Sequence, residues 1–328
     1  MLNSSLNKNL FNENVEKVSI RFGFGEGLVL AADKDKNVVG LCADLNESSQ
    51  MSLFAKKYPL RFVQVGVAEQ NMVTVASGMA AMGKIPFASS YAMFSPGRNW
   101  EQIRTTIAYN DRPVKIIGSH AGISVGPDGG THQATEDIAL MRVLPNMIVL
   151  SPCDAIEAKK ATIEAAKINK PVYIRLAREK TPLITTEDTP FEIGKAQIFF
   201  APPMDAQVGI IATGALVHKA IIVAQNFAQK GISVKVLNIA SIRPLDFEAI
   251  INLAEETNAI VSVEEHQVVG GLGSAVAEVL VQNYPVPMEL IGIHDKYGQS
   301  GTPDELIEHY GMGVPSIERA VERVMQRK

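Results

Sequence analysis

One glutamate, Glu69, lies where a predicted strand gives way directly to a predicted helix. The stretch is VQVGVAEQNMVTVASGMAAMG, residues 63–83, and the glutamate's neighbours are mostly apolar or small. A carboxylate in the first turn of a helix stabilises the positive end of that helix. A carboxylate withdrawn from water also resists ionisation and can share a proton with a bound group. The stretch therefore predicts either a helix cap or an acid–base site at Glu69.

A second concentration of reactive side chains occurs in GSHAGISVGPDGGTHQATED, residues 118–137. This segment holds His120, Asp128, His132 and five glycines, and it follows a predicted strand. A long glycine-rich loop inside a compact domain usually has a function. Two histidines twelve residues apart do not have a recognised zinc spacing. We therefore expect this loop to contact a substrate rather than a metal.

Two arginines, Arg175 and Arg178, follow the predicted strand PVYI. A guanidinium at a strand end can bind a phosphate or a carboxylate with two hydrogen bonds. A surface ion pair is an equally good interpretation of the local sequence.

The segments that must position these side chains alternate between two patterns. Runs typical of strands are NVVGLCADL, RFVQVGV, PVKIIGSH, MIVLSPCD and PVYIRLA, and runs typical of helices are EQNMVTVASGMAAM, NWEQIRTTIAY, EDIALMRVL and AIEAKKATIEAAKI. This alternation predicts an α/β fold with a parallel sheet covered by helices on both faces. Ligands of such sheets bind beyond the carboxyl ends of strands. Asp44, Glu69 and His120 lie at such ends.

The alternation weakens over residues 179–207, where proline, threonine and acidic residues indicate a connector. A second α/β unit then begins with VGIIATG and ALVHKAIIVAQNFAQKG. We expect two domains, residues 15–188 and residues 189–328.

Composition limits the class of protein. The chain has 328 residues, 46% hydrophobic and 20% charged, which is typical of a well-cored soluble protein. A net charge of −4 predicts no general affinity for nucleic acid or acidic membranes. Cys42 and Cys153 form no disulfide framework and fit a reducing cytosol. The polar start and the lack of a membrane-length apolar run lead us to expect a cytoplasmic protein.

Two glycine clusters have less specific patterns. RFGFGEG, residues 21–27, does not have the spacing of a dinucleotide-binding motif and favours a loose helix start. GGLGSAVAEVL, residues 270–280, opens a helix that could bind an anion. A tight turn with close packing is the better interpretation of this second cluster.

Taken together, these motifs resemble transketolase. GVAEQNM is similar to the family's segment around its cofactor-activating glutamate, and GISVGPDGGTHQATEDIALMRVLPNM is similar to its substrate loop and following helix. ADLNESS, YIRLAREK and VEEHQVVGGLGSAVAEVL also match, in the family's order, so the resemblance covers nearly the whole chain from about Val18. It implies a pyrimidine-type domain that binds thiamine diphosphate, followed by a transketolase C-terminal α/β domain.

One departure from the family concerns the metal. A full transketolase begins with another domain, which binds Mg²⁺ and the cofactor diphosphate through a GDG motif and a distant asparagine. GPDGG, residues 126–130, lies in the substrate loop and is not that motif. The resemblance therefore implies the C-terminal subunit of a split, two-chain transketolase with no metal ligands of its own. It would act with an N-terminal subunit that binds Mg²⁺, in two copies of each chain.

The resemblance also assigns residues. In this family the glutamate hydrogen-bonds the ring nitrogen of the cofactor's aminopyrimidine and favours its imino tautomer; by match this is Glu69. Asp44 matches the aspartate near the thiazolium, and Tyr91 and Phe94 match the aromatic wall on the pyrimidine. His132 matches a residue that assists proton transfer at the substrate. The matches to substrate-binding residues are Arg21, Ser48, His120, Asp128, His132 and Arg178.

The implied reaction is ketol transfer from a ketose phosphate to an aldose phosphate, as in the pentose phosphate pathway. A split transketolase for a branched or sulfonated sugar remains open, as does a deoxyxylulose-phosphate synthase, which shares the glutamate and a DG-x-THQ pattern. The β subunit of a 2-oxo-acid dehydrogenase lacks the two-histidine loop. A non-catalytic assembly subunit and a NAD-dependent dehydrogenase fit the residues less well.

Overall fold

The computed structural model describes residues 1–328 and contains two large sheets flanked by helices and one antiparallel pair of short strands, Lys17–Ser19 and Lys180–Pro182. The strands of the first part are β1 (Lys17–Ser19), β2 (Val38–Cys42), β3 (Phe62–Gln64), β4 (Ile85–Tyr91), β5 (Lys115–Ser119), β6 (Ile148–Leu150), β7 (Val172–Arg175) and β8 (Lys180–Pro182). Its helices are α1 (Ile20–Lys34), α2 (Met51–Lys57), α3 (Glu69–Ala81), α4 (Trp100–Gln102, continued as a π-helix over Ile103–Ala108), α5 (Asp137–Arg142) and α6 (Ala155–Lys167). Short 3₁₀ turns cover Pro59–Arg61 and Ile123–Asp128.

The second part follows the same alternation. Its strands are β9 (Gln197–Phe200), β10 (Val208–Ala212), β11 (Val234–Asn238), β12 (Ser241–Arg243), β13 (Ile260–Gln267) and β14 (Met288–Ile293). Its helices are α7 (Val217–Gln229, preceded by a 3₁₀ turn over Gly214–Leu216), α8 (Phe247–Thr257), α9 (Leu272–Asn283), α10 (Pro303–His309) and α11 (Val314–Met325). None of these helices is long and apolar enough to cross a membrane.

The predicted α/β class is confirmed. The larger sheet has the order β12-β6-β7-β5-β4-β2-β3 and is parallel except for β12. The smaller sheet has the order β14-β13-β10-β11-β9 and is parallel except for β9. Strand β4, which separates β2 from β5, was not among the strands predicted from the sequence. Its segment IPFASSY mixes serine and proline with apolar residues and lacks a clear strand pattern.

Two segments cross the predicted domain division. Strand β12 follows the connector in sequence but pairs with β6 in the larger sheet. In the opposite direction, Leu6 and Leu10 at the start of the chain are buried in the core of the second part. A third group of buried side chains joins the facing sides of the two parts into one core. The boundary between residues 188 and 189 therefore stays a prediction.

Both glycine clusters lie in close contacts. The segment RFGFGEG does begin a helix, but the expectation of a loose start is wrong because α1 packs tightly on α6. A β-carbon added at Gly23 would lie 1.8 Å from the carbonyl oxygen of Ala155. At the second cluster, the tight turn with close packing is confirmed. The Glu264 carboxylate accepts hydrogen bonds from the N–H groups of Leu272 and Gly273 at 2.7 and 2.8 Å, so it occupies the start of α9.

Candidate active site

Glu69 is the first residue of α3, directly beyond the carboxyl end of β3, and its side chain is buried. Its carboxylate accepts a hydrogen bond from Arg98 Nη1 at 2.7 Å and a longer one from Ser90 Oγ at 3.3 Å. The apolar and small neighbours in the sequence therefore do not describe the surroundings of the carboxylate, which include Arg98 and Ser90. The guanidinium of Arg98 stabilises the carboxylate anion in this buried position.

A buried asparagine fixes the backbone at the start of α3. Asn99 Nδ2 donates to the carbonyl oxygen of Glu69 at 3.0 Å and lies 3.2 Å from Ser95 Oγ. The segment between β4 and α4 thus holds both the backbone and the carboxylate of Glu69. Its polar groups were missed by sequence reasoning. The only indication of these polar groups in the sequence was that they lie in the segment SPGRNW, directly after Tyr91 and Phe94.

Arg98 joins the carboxylate to the aromatic residues. Its side chain is 48% exposed, and its guanidinium carbon lies 5.0 Å from the centre of the Phe94 ring. This placement is typical of a cation–π contact. Since half of the side chain faces solvent, the guanidinium can leave Glu69 without displacing core residues.

Four rings form one connected cluster at the carboxyl ends of β4 and β5. Tyr91 and Phe94 are nearly parallel, with ring centres 6.1 Å apart. His120 stacks on Tyr91 at 3.8 Å, and His132 meets the Phe94 ring edge-on at 5.4 Å. The structure therefore brings together four predicted site residues that are up to 41 positions apart, from Tyr91 to His132.

The histidine side of this cluster is electropositive. His120 is buried, with Nδ1 2.8 Å from Ser119 Oγ and Nε2 3.4 Å from Arg21 Nη1. Burial lowers the pKa of His120 to about 3, and the charges of Arg21, Arg178 and His132 act in the same direction. A neutral imidazole between two guanidinium groups is suited to binding an anion.

Arg21 and Arg178 both lie close enough to His120 to affect its charge, and each donates a hydrogen bond to a backbone carbonyl. Arg21 donates to the carbonyl oxygen of Ser48, whose hydroxyl points to the carbonyl of Leu45 at 3.4 Å. Arg178 Nη1 donates to the carbonyl oxygen of Val125 at 2.6 Å. Ser48, a predicted substrate-binding residue, thus contacts the basic group through its backbone carbonyl.

Arg175 has a different environment, although it is only three residues from Arg178. Its side chain is buried, and Nε donates to Asp137 Oδ2 at 2.8 Å, while Tyr173 donates to the same oxygen at 2.7 Å. A buried ion pair with further hydrogen bonds is a structural element rather than a surface pair.

Two predicted site residues lie outside the cluster. Asp44 and Asp128 are exposed, and no hydrogen bond or ion pair joins either carboxylate to the rings or to the arginines. Asp44 lies beyond β2 with its backbone N–H bonded to Gln64 Oε1 at 2.8 Å. Asp128 ends the 3₁₀ turn of the substrate loop.

Two known protein families match this chain. The family "Transketolase, pyrimidine binding domain" matches residues 16–183, and "Transketolase, C-terminal domain" matches residues 202–317. The chain belongs to the transketolase family. It is 43% identical over 313 residues to a "Putative transketolase C-terminal section" of Methanocaldococcus jannaschii, with 94% of this chain and 97% of the relative covered.

Two further relatives of this transketolase chain are informative. It is 39% identical over 318 residues to the "6-deoxy-6-sulfo-D-fructose transketolase subunit SqwH" of a Clostridium species, covering 97% of this chain and 98% of the relative. A solved structure described as "Split gene transketolase, inactive beta4 tetramer" is 42% identical, with a TM-score of 0.88 and coverage of 95% and 99%. The chain thus corresponds to the C-terminal section of a split transketolase.

Membership of the family implies thiamine diphosphate as cofactor, and the residues present fit its pyrimidine. A flat ring with a basic ring nitrogen needs an aromatic face and a carboxyl partner at its edge. Phe94 and Tyr91 would supply the aromatic faces, and the buried Glu69 carboxylate, which is joined to Phe94 through Arg98, would supply the carboxyl partner. No group of three or more His, Cys, Asp or Glu side chains is arranged to hold a metal ion.

Proposed function

We propose that this chain is the C-terminal subunit of a two-chain transketolase that transfers a two-carbon ketol unit from a ketose phosphate to an aldose phosphate. The observation that carries the proposal is the shared location of a buried carboxylate, an aromatic wall and an electropositive histidine–arginine cluster at one sheet edge. The carboxylate and the aromatic wall suit the cofactor, and the histidine–arginine cluster suits a sugar phosphate.

At the cofactor end, Glu69 would hold a proton at the pyrimidine ring nitrogen. Arg98 must first release the carboxylate, and its exposed side chain leaves room for that movement. Tyr91 and Phe94 would stack on the pyrimidine, and Asp44 would lie toward the thiazolium. Thiamine diphosphate supplies an electron sink for the two-carbon unit when it is bound.

At the substrate end, Arg21, His120 and Arg178 would bind the phosphate, with Ser48 contributing by holding Arg21 through its backbone carbonyl. The positive charges of Arg21 and Arg178 beside the neutral ring of His120 support this assignment. His132, on the edge of the Phe94 ring, would move a proton at the substrate. Asp128, at the exposed turn of the loop, would contact the sugar hydroxyls.

The proposal includes a partner. An N-terminal subunit would bind the cofactor diphosphate through Mg²⁺, and two copies of each chain would form the active, cytoplasmic assembly. The pyrimidine domain is placed at residues 15–188 and the C-terminal domain at residues 189–328. The support is the chain's match to the C-terminal sections of split transketolases.

A sulfonated sugar is a second candidate substrate. One relative is named a 6-deoxy-6-sulfo-D-fructose transketolase subunit. A sulfonate and a phosphate are both tetrahedral oxyanions, so the same guanidinium groups suit either. Assaying the reconstituted pair of subunits against phosphorylated, sulfonated and neutral ketoses would distinguish these substrates.

The central test is Glu69→Gln in the chain reconstituted with its N-terminal subunit. An amide cannot share a proton with the ring nitrogen, so we expect exchange of the thiazolium proton with deuterium and ketol transfer both to be lost. The control is Glu157→Gln. Glu157 is also buried, but its carboxylate accepts hydrogen bonds from the backbone N–H of Cys153 and from Asn238, which are not part of the candidate site. Wild-type exchange rates in Glu69→Gln would refute the role of Glu69.

A further inference from the structure

The substrate loop, residues 120–134, carries three of the proposed sugar-binding residues, but much of its support comes from the second part of the chain. Glu265, in β13, is buried, and its Oε1 accepts a hydrogen bond from the backbone N–H of Ser124 at 2.6 Å. This contact spans 141 residues of sequence. Hydrogen bonds to a charged acceptor are stronger than neutral ones, so this one restrains the loop backbone strongly.

The loop is shaped to receive this carboxylate. Gly122 has a φ of +87°, and a β-carbon there would lie 2.3 Å from Glu265 Oε1. Only glycine combines that backbone conformation with such a close approach. The loop backbone on both sides of Ile123 therefore lies directly against Glu265.

A cavity also borders the loop on the side of Glu265. A half-open cavity of about 640 Å³ lies between the two parts of the chain, and its lining includes Ser124 and Glu265. Ile123 packs into the core of the second part, and the Glu265 carboxylate is the charged hydrogen-bond acceptor that holds the loop backbone beside this cavity.

The far end of the loop is also attached to the second part. Gln267, two residues beyond Glu265, donates its backbone N–H to the carbonyl of Thr135 at 2.7 Å. Gln133 Nε2 lies 3.0 Å from the carbonyl of Gln299. Arg175, already paired with Asp137, donates Nη2 to the carbonyl of Glu265 at 2.8 Å. The loop is thus held along β13 and the segment before α10.

The buried position of Glu265 is energetically unfavourable for a carboxylate. Burial raises the pKa of Glu265, and the positive charge of Arg175 opposes that rise. A fully buried carboxylate costs free energy that an apolar side chain would not.

We propose that Glu265 is a positioning residue for sugar binding. It acts through Ser124 and Gly122 on the loop that carries His120, Asp128 and His132, and it touches neither sugar nor cofactor. The second domain thereby sets the geometry of the substrate site. The expected effect on KM rests on the proposed ketol transfer. The contact between Glu265 and the loop does not depend on it.

The adjacent residue is a matched control. Glu264 is equally buried in the same strand, but its carboxylate points to the start of α9, where it bonds Leu272 and Gly273. Loss of either carboxylate should destabilise the second domain. Only the loss of the Glu265 carboxylate should also loosen the backbone of the substrate loop.

The first measurement is amide hydrogen exchange of peptides spanning residues 118–137 in the purified chain. We expect faster exchange in Glu265→Ala and a smaller increase in Glu265→Gln, whose amide oxygen can still accept from Ser124. Glu264→Gln should leave these peptides unchanged. If Glu265→Ala does not fold, Glu265→Gln carries the comparison. Wild-type exchange in the Glu265 variants would overturn the proposal.

The second measurement is steady-state kinetics of the variants with the N-terminal subunit. Misplacing a binding group by about 1 Å can cost on the order of 100-fold, so we expect the KM of Glu265→Ala for the sugar to rise about tenfold or more. The Kd for thiamine diphosphate should stay within about twofold, because Glu69 and Phe94 lie outside the loop. Equal effects of the Glu264 and Glu265 variants on KM would overturn the positioning role. If the wild-type pair lacks ketol transfer, the proposed function fails, and hydrogen exchange still decides whether Glu265 holds the loop.

Discussion

Arg175 and Arg178 show how burial separates two residues of the same type. Arg175 is 5% exposed and paired with Asp137, whereas Arg178 is 30% exposed and lies beside the substrate loop. From local sequence both were candidates for binding an anion. Only Arg178 keeps part of its guanidinium accessible to a ligand.

We predict that Arg178→Ala raises KM for phosphorylated sugars far more than for unphosphorylated ones. Losing a charge-assisted hydrogen bond to a phosphate should cost about 2 kcal/mol, or at least tenfold in affinity. Arg175→Ala should instead lower stability, because it leaves Asp137 buried without its cation. Measuring KM for phosphorylated and unphosphorylated sugars, together with thermal unfolding, distinguishes the effects of the two variants. Equal losses for both sugar types would indicate that Arg178 is structural.

A second prediction concerns the charge of His120. With a pKa of about 3, its ring should stay neutral at every pH above about 4. An oxyanion bound between Arg21 and Arg178 would offset their charges, so inorganic phosphate should raise this pKa. NMR titration of ring-labelled histidine checks both statements. A midpoint near the ordinary histidine value without phosphate would contradict them.

At the scale of elements, helix α1 depends on glycine for its close contact with α6. Gly23 faces the carbonyl of Ala155, and Gly27 faces that of Lys159, where a β-carbon would lie 2.7 Å away. The two helices support one face of the larger sheet and, with it, the end of α1 that carries Arg21. Glycine normally weakens a helix, so here the close approach outweighs its low helix propensity.

We predict that Gly23→Ala destabilises the chain by at least 1–3 kcal/mol, as overpacking typically does, because α1 must move away from α6. Gly78→Ala is the matched control, since Gly78 is exposed in α3 and a β-carbon there meets nothing within 4 Å. That variant should be neutral or more stable by about 0.5–1 kcal/mol. Urea unfolding measures both. Similar stability of the two variants would contradict the packing argument.

At the scale of the whole molecule, one surface of the first domain is unusually apolar. Val67, Val75 and Met82 are exposed on or beside α3, and Tyr109 is exposed at the end of the neighbouring π-helical segment. Exposed apolar patches of this kind commonly form interfaces. The surface adjoins Glu69, so a subunit bound there would also border the proposed cofactor site.

We therefore predict that the chain alone self-associates through this surface. Val75→Asp should shift the chain toward monomer, because it places a charge within an apolar contact. Val281→Asp is the control, since Val281 is also exposed but lies on α9 in the second domain. Light scattering coupled to size-exclusion chromatography measures the mass of each. A monomeric wild type, or equal effects of both variants, would contradict the prediction.

The α/β class and most of the alternating strands and helices follow from local patterns, although β4 does not. Runs of apolar residues, helical spacing and glycine-rich turns each depend on a few neighbouring residues. The same local patterns place Glu69 and His120 beyond strand ends, and strand ends of a parallel sheet meet at one edge. The candidate site could therefore be located from the sequence, although its internal contacts could not.

Those contacts depend on residues that are distant in the chain. Arg98 meets Glu69 across 29 residues, Arg175 meets Asp137 across 38, and Ser124 meets Glu265 across 141. Strand β12 likewise joins the first sheet although its sequence neighbours build the second. No local pattern specifies such pairings, because each is chosen by the packing of whole layers and by the need of buried charges for partners. Tertiary structure alone therefore decides that Glu69 is ion-paired, that Arg175 is structural and that the second domain holds the substrate loop.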